Sequence, residues 1–174
     1  MLSRVMRGLV RPQCVGTYAA PAGARKITGS RDTSSYAFKT EDGCCLRLAM
    51  SSAQASESEN GRVQVKLGKL SLSFWDGAKV LNTSPIVFSL RPQQVGDFLV
   101  QLKKGEGSMN RATQAASYAM DISTVDEQVL IKMVRSSATE DTTETVTVSF
   151  TPGDVILLDM LLRKCIPHIC GWDQ

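Results

Sequence analysis

The sequence predicts an α+β domain: two antiparallel four-stranded β-sheets with two helices, in the order four strands, helix, four strands, helix. Three observations carry this. Short segments between Cys44 and Phe150 alternate apolar and polar residues, the period-2 signature of half-buried strands. One segment interrupts them with helical spacing, at Val95, Phe98, Leu99 and Leu102. A second helix closes the chain, opening at Thr151-Pro152-Gly153-Asp154. There Thr151 is the expected N-cap, Pro152 the first helical residue and Asp154 the acid of a capping box. The order is a duplicated β4-α unit in secondary structure, without a clear sequence repeat. Antiparallel meanders need one covered face, and the helices are the cover.

The elements follow in order. Cys44 to Met50 alternates, with Cys44, Leu46, Leu48 and Met50 on one side and Arg47 on the other. The polar stretch Ser51 to Asn60 reads as a mobile loop. Arg62 to Leu67 and Lys69 to Trp75 alternate strictly, and Asp76-Gly77 reads as a hairpin turn before a fourth strand within Ala78 to Leu90. Pro92 starts the first helix and Lys103-Lys104-Gly105 ends it, with basic residues in the last turn and glycine beyond. The second strand set comprises a weak strand near Ser108 to Thr113, then Ala115–Ile122, Gln128–Arg135 and Thr143–Phe150. Acids collect in its turns, at Asp126-Glu127 and Glu140-Asp141.

The closing helix is apolar on several sides. Val155, Leu158, Leu162 and Cys165 line one face, while Ile156, Met160 and Leu161 cover others. A helix of this kind is buried on most sides. One side is expected on a sheet and another on a second subunit. Trp172, after Gly171, is expected to anchor the helix end by packing.

Composition is that of one globular domain plus a tail. Of the 174 residues, 43% are hydrophobic, and no apolar run approaches the roughly 18 residues that span a bilayer. No membrane partner is predicted. Residues 1–30 hold Arg4, Arg7, Arg11, Arg25 and Lys26 and no acid, and Met1 to Val10 can form a basic amphipathic helix. Such a segment is expected to be an organellar targeting presequence, directing the chain to the mitochondrion rather than the plastid. Removing its five cations from the 20 basic residues leaves 15 against 17 acids, a balance of −2. Net charge therefore gives no support for nucleic-acid binding in the remaining domain, and only the distribution of charge can.

Catalytic signatures are missing. The single histidine, His168, sits in an apolar helix end without a nucleophile–acid set, and there is no phosphate loop or dinucleotide fingerprint. Five cysteines form no disulfide framework. Cys165, His168 and Cys170 make an atypical metal spacing on an apolar segment, and adjacent Cys44 and Cys45 point to opposite faces of a strand. No enzyme activity, metal or cofactor is predicted.

The distribution of charge does single out one sheet face. Arg62, Gln64 and Lys66 point one way while Val63, Val65 and Leu67 face the core; Lys69, Ser71, Ser73 and Trp75 share a face opposite Leu70, Leu72 and Phe74. With Arg47, and with Lys79 close by, this gives a polar surface with cations and one large aromatic. Cations neutralise phosphates and tryptophan stacks bases. The candidate nucleic-acid-binding residues are Arg47, Arg62, Lys66, Lys69, Ser73 and Trp75. Lys132 and Arg135 on the second sheet are secondary candidates.

The ending Ile166-Pro167-His168-Ile169-Cys170-Gly171-Trp172 resembles the C-terminus of the Whirly family, organellar single-stranded nucleic-acid-binding proteins. Val87-Phe88-Ser89-Leu90 followed by Val95-Gly96 is similar to that family's passage from strand to helix. Asp42-Gly43-Cys44-Cys45-Leu46 falls where the family carries a basic Lys-Gly-Lys-Ala-Ala-Leu motif, whose lysines are replaced here. The cooperative assembly linked to that motif is therefore not carried over. The resemblance extends in element order over residues 36–173, and the kinetoplastid mitochondrial RNA-binding proteins, which bind guide RNA, share the fold without the plant motif. It implies that residues 36–174 form a Whirly-like domain, assembled as a homo- or hetero-tetramer through the C-terminal helix and binding single-stranded DNA or RNA. The expected role is mitochondrial RNA processing and annealing, or DNA maintenance and transcription. The alternative is a non-catalytic structural subunit of a mitochondrial ribonucleoprotein complex.

Overall fold

The structure, a computed structural model, describes residues 35–57, 63–77 and 84–172. Its first half contains β1 (Ser35–Lys39), β2 (Cys45–Ser51), β3 (Gln54–Glu57), β4 (Val63–Lys66), β5 (Lys69–Trp75), β6 (Ile86–Leu90) and α1 (Pro92–Lys104). The second half contains β7 (Gly107–Ala112), β8 (Ala116–Val125), β9 (Gln128–Ser137), β10 (Thr143–Phe150) and α2 (Pro152–Cys170). Two antiparallel four-stranded sheets result, as predicted; their strand orders are β1-β2-β5-β6 and β10-β9-β8-β7. Among the described residues no helix is long and apolar enough to cross a membrane.

The membership of the first sheet differs from the expectation in one strand. Residues 63–66 do form a strand, but β4 pairs only with β3, inside the segment expected to be a loop. The place in the four-stranded sheet goes to β1. The small hairpin continues the β2–β5 pair. Ser51 faces Lys69 and Gln54 faces Lys66, with two unpaired residues on each strand between them, so the register crosses the break unchanged. The arm lies outside the cover of the helices, so Val65 and Leu67, expected in the core, are 59% and 52% exposed.

Gly68 makes the break. Its N–H donates to the Ile169 carbonyl at the end of α2 (2.8 Å) instead of to a strand partner. Ser51 Oγ takes over the neighbouring Lys69 N–H at 3.1 Å.

Asp76-Gly77 likewise opens a long connection and not a two-residue hairpin, since β5 ends at Trp75 and β6 begins at Ile86. Gly77 is seated against the β1–β2 turn. A Cβ there would lie 2.7 Å from Gly43 Cα, which itself has φ +86°.

The core is continuous between the sheets and the helices. Leu46, Leu72, Phe74, Phe88, Met120, Ile131, Met133, Val148 and Phe150 project from the inner faces. Phe38 of β1 meets Phe150 of β10 edge to face at 5.3 Å, tying one sheet to the other. From α1 come Val95, Phe98, Leu99 and Leu102, the predicted stripe. Leu158, Leu162, Cys165 and Ile169 form the inner stripe of α2. The predicted capping box forms: Thr151 N–H donates to Asp154 Oδ2 (3.1 Å) and Asp154 N–H to Thr151 Oγ1 (3.2 Å). Left-handed Gly171 ends α2, and the Trp172 N–H donates to the Pro167 carbonyl at 2.9 Å. That turn carries Trp172 outward to 77% exposure, against the expectation that it packs.

Between β8 and β9, Asp126 and Glu127 both take positive φ, which is the two-residue turn that suits a right-twisted hairpin.

Candidate nucleic-acid interface

The outer face of the first sheet carries only cations as its formal charges. Alternation places Ser35, Ala37 and Lys39 of β1, then Cys45, Arg47, Ala49 and Ser51 of β2, on that face. Lys69, Ser71, Ser73 and Trp75 of β5 and Val87 and Ser89 of β6 complete it. The register aligns them in rows: Lys39, Cys45 and Trp75; Ala37, Arg47, Ser73 and Val87; Ser35, Ala49, Ser71 and Ser89; then Ser51 and Lys69. None of these strand positions is an Asp or Glu.

The physical form follows from residue size. Ala49, Ser71, Ser73 and Ser89 make a low floor, with Ser71 and Ser89 hydroxyls 3.3 Å apart. Lys69 stands at one end and Trp75 with Lys39 at the other, while Arg47 rises in between. Arg47 is steadied by a hydrogen bond from Nη2 to Ser35 Oγ of 3.2 Å. A low floor lets flat rings approach the sheet, and cations at its margins can meet phosphates. Polar outer faces are ordinary in half-exposed sheets; the one-signed charge and the tryptophan set this one apart.

The candidates fare unequally. Arg47, Lys69, Ser73 and Trp75 share the face as expected. Lys66 is exposed on the arm, opposite Gln54, and so does not stand beside Lys69 in the sheet. Its place on a common face with Lys69 is corrected by the break at Gly68. Arg62 and Lys79 lie outside the described residues. Lys132 is exposed on the outer face of the second sheet, but its register partner on β8 is Asp121. A carboxylate alongside weakens that position for phosphate. Arg135 turns to the other side of β9 and pairs with Glu144 at 3.7 Å.

Two cations were not singled out from sequence. Lys39 required β1 to be placed in the sheet. Arg111 of β7 reaches the first sheet's edge and donates from Nη1 to the Ser89 carbonyl at 3.4 Å. The alternation of Tyr36 and Phe38 was the available signal for β1, and no local signal exists for Arg111.

Thiol chemistry finds no support on this face. Burial pushes the Cys45 thiol up, with the Lys39 and Arg47 charges only partly opposing it. Burial and Cys170 push Cys165 up to about 11, which disfavours the thiolate a metal or a nucleophile requires. Among the described residues no group of three or more His, Cys, Asp or Glu side chains is placed to hold a metal ion.

No protein-family model matches the chain, and no curated protein matches it by sequence. Solved structures do match in fold. WHY3 from Arabidopsis thaliana superposes with a TM-score of 0.71 at 15% identity, covering 83% of this chain and 93% of that one. The plant transcriptional regulator PBF-2 gives 0.71 at 14% identity, covering 83% and 86%. A guide-RNA-binding protein complex bound to a guide RNA gives 0.54 at 13% identity, covering 83% and 97%. The fold is thus the Whirly fold, shared with guide-RNA-binding proteins.

Proposed function

We propose that this chain is a non-catalytic binder of single-stranded DNA or RNA that holds the strand along the outer face of β1, β2, β5 and β6. The observation that carries it is the cation-only face with its low Ala/Ser floor and Trp75. Similarity of fold to a transcriptional regulator and to a guide-RNA-binding complex supports the same reading. Strands would lie extended, phosphates countered by Lys39, Arg47 and Lys69, with a base stacked on Trp75. Arg62, Lys66 and Lys132 are carried as outlying contacts of this proposal. Roles in RNA annealing and processing or in DNA maintenance and transcription both follow from keeping strands unpaired.

Anisotropy titrations with labelled single strands test this against the rival of a purely structural subunit. Affinity is expected to fall steeply with salt. Arg47→Ala and Lys69→Ala should each flatten log K against log salt by roughly 0.7 per lost phosphate contact. Lys66→Ala, on the arm, should change the slope less. Trp75→Ala should weaken binding by about 1–3 kcal/mol at constant slope, because stacking releases no counterions. Duplex should bind worse. Equal affinity for duplex and single strand with all variants unchanged sinks the assignment to this face, and an absence of micromolar binding favours the structural subunit.

Residues 1–30, acid-free with five cations, support import into the mitochondrion. Fused to a fluorescent protein they should carry it into the organelle, and deleting them should leave the chain in the cytosol. Organellar localisation of the truncated chain would count against this.

A further inference from the structure

The β6 edge of the cationic face gathers charge from three elements. The register pairs Leu70 with Leu90, so the next row sets Lys69 of β5 across from position 91. Arg91 follows β6 with an extended backbone, φ −78° and ψ 164°, so the alternation of the strand carries through it. Val87, Ser89 and Arg91 therefore share the outer side, and Ser51, Lys69 and Arg91 form one row. Neighbouring strands lie about 5 Å apart, which sets two cations side by side. Arg111 reaches the same edge from β7 of the second sheet. One of its N–H groups donates to the Ser89 carbonyl at 3.4 Å, and the side chain stays exposed.

Like charges directly opposite one another on a sheet are destabilising. Among the described residues no acid is paired with Lys69, Arg91 or Arg111. An arginine has five N–H donors in a planar fork, so Arg111 keeps four after its bond to Ser89. What relieves such a cluster is an anion with several oxygens, and a phosphate offers the matching geometry.

We propose that a bound single strand crosses the sheet from the Trp75 end to this corner, where Lys69, Arg91 and Arg111 together hold its phosphates as it passes over the β6 edge. The proposal rests on the single-strand reading above and deepens it, giving the strand a direction and a second anchor.

The path follows from the rows. Lys39 and Trp75 share one end row, and Lys69 and Arg91 share the other, with the low floor of Ala49, Ser71, Ser73 and Ser89 between them. Three strand spacings across and six residues along β5 make a diagonal of about 25 Å. An extended single strand covers that in about four or five nucleotides, at the short end of the sites that small β domains present. Stacking fixes the strand at the Trp75 end and charge fixes it at the other.

The test uses the full chain and labelled oligothymidylate of about eight residues with unphosphorylated ends, so that only internal phosphates are read, between about 0.1 M and 1 M salt. Arg91→Ala and Arg111→Ala should each lower the slope of log K against log salt by roughly 0.7, or about fivefold in affinity at the low-salt end and almost nothing at the high-salt end. Arg111→Lys keeps the charge and should restore most of the slope, which a role confined to the Ser89 bond would not do. Lys104→Ala and Lys164→Ala remove exposed cations from the two helices and should leave the slope unchanged. A strand of about three residues is too short to reach both anchors, so the Arg91→Ala/Arg111→Ala double variant should weaken it far less than the longer strand. Unchanged slopes in both arginine variants, with Lys69→Ala still flattening it, overturn the corner and leave the single-strand reading intact. Equal losses in the two helix-lysine variants reduce the effect to net charge and overturn it too. A double variant that weakens short and long strands alike overturns the crossing path. If no oligonucleotide binds at all, the broader reading fails and the corner with it.

Discussion

Gly68→Ala is expected to lower the thermal midpoint of the domain by about 10 °C, the equivalent of roughly 3 kcal/mol at this size. A Cβ at position 68 would fall deep inside van der Waals contact with the Ser51 carbonyl oxygen and 2.9 Å from the carbonyl carbons of Ser51 and Ser52. Those atoms are backbone, so no side chain can rotate away. Relief requires the strands to part where β2 and β5 hand over to the arm. Parting them costs the Gly68 N–H bond to Ile169 that fixes the end of α2, and the Ser51 Oγ bond to Lys69. Gly96→Ala in α1 is the matched control. A Cβ there meets nothing within 4 Å, and alanine is the better helix former, so stability should rise by about 0.4–1 kcal/mol. Parallel thermal melts of the two variants decide it. Equal melting of Gly68→Ala and the unmutated protein would show that the strands separate at no cost.

That contrast also shows what could be read without the structure. Gly96 belongs to a residue pair that resembles a known family, yet space does not require it. Gly68 sits between two alternating runs with no local signal to mark it, and a Cβ there has no space. The alternation of residues 62–67 was real, since Val63–Lys66 is a strand. Alternation reports that one side of a strand differs from the other, not which sheet receives it or whether a helix covers it. Here the helices cover the two four-stranded sheets and not the β3–β4 arm, so Val65 and Leu67 stay in solvent. Helices were more legible because their signals are local. The Thr151–Asp154 box, the Val95–Leu102 stripe and the glycine stops at Gly105 and Gly171 all lie within a few residues of what they control.

The candidate face divides along the same line. Arg47, Lys69, Ser73 and Trp75 follow from period-2 alternation within single strands and needed only the correct partner strand. Lys39 needed β1 to be recognised as the sheet's edge.

Substituting Ile156 and Met160 together by glutamate is expected to convert the protein from an oligomer to a soluble monomer, the largest change in state foreseen here. The predicted partition of α2 is half visible in one chain. Leu158, Leu162, Cys165 and Ile169 are buried, whereas Ile156 is 64% and Met160 62% exposed. Leu157 and Leu161 are half-buried beside them. Leu161 and Cys165 also border an apolar groove of about 200 Å³ with Tyr36, Leu48, Met50 and Leu70. Fully burying side chains of this kind stabilises by about 1.5–3 kcal/mol each, so leaving the strip in water is costly. We propose that other subunits cover it in a homo- or hetero-tetramer, as the resemblance implies. Glutamate at these two positions points outward in the single chain and leaves the core stripe untouched, so the fold should survive. Leu162→Glu, which puts a charge into the core, should instead unfold the protein and marks the difference. Light scattering gives the readout: a mass several times the 18.9 kDa of one chain for the unmutated protein, and a single chain for the double variant. A monodisperse monomer without any substitution would refute assembly through this helix. An oligomer that persists in the double variant would move the interface elsewhere.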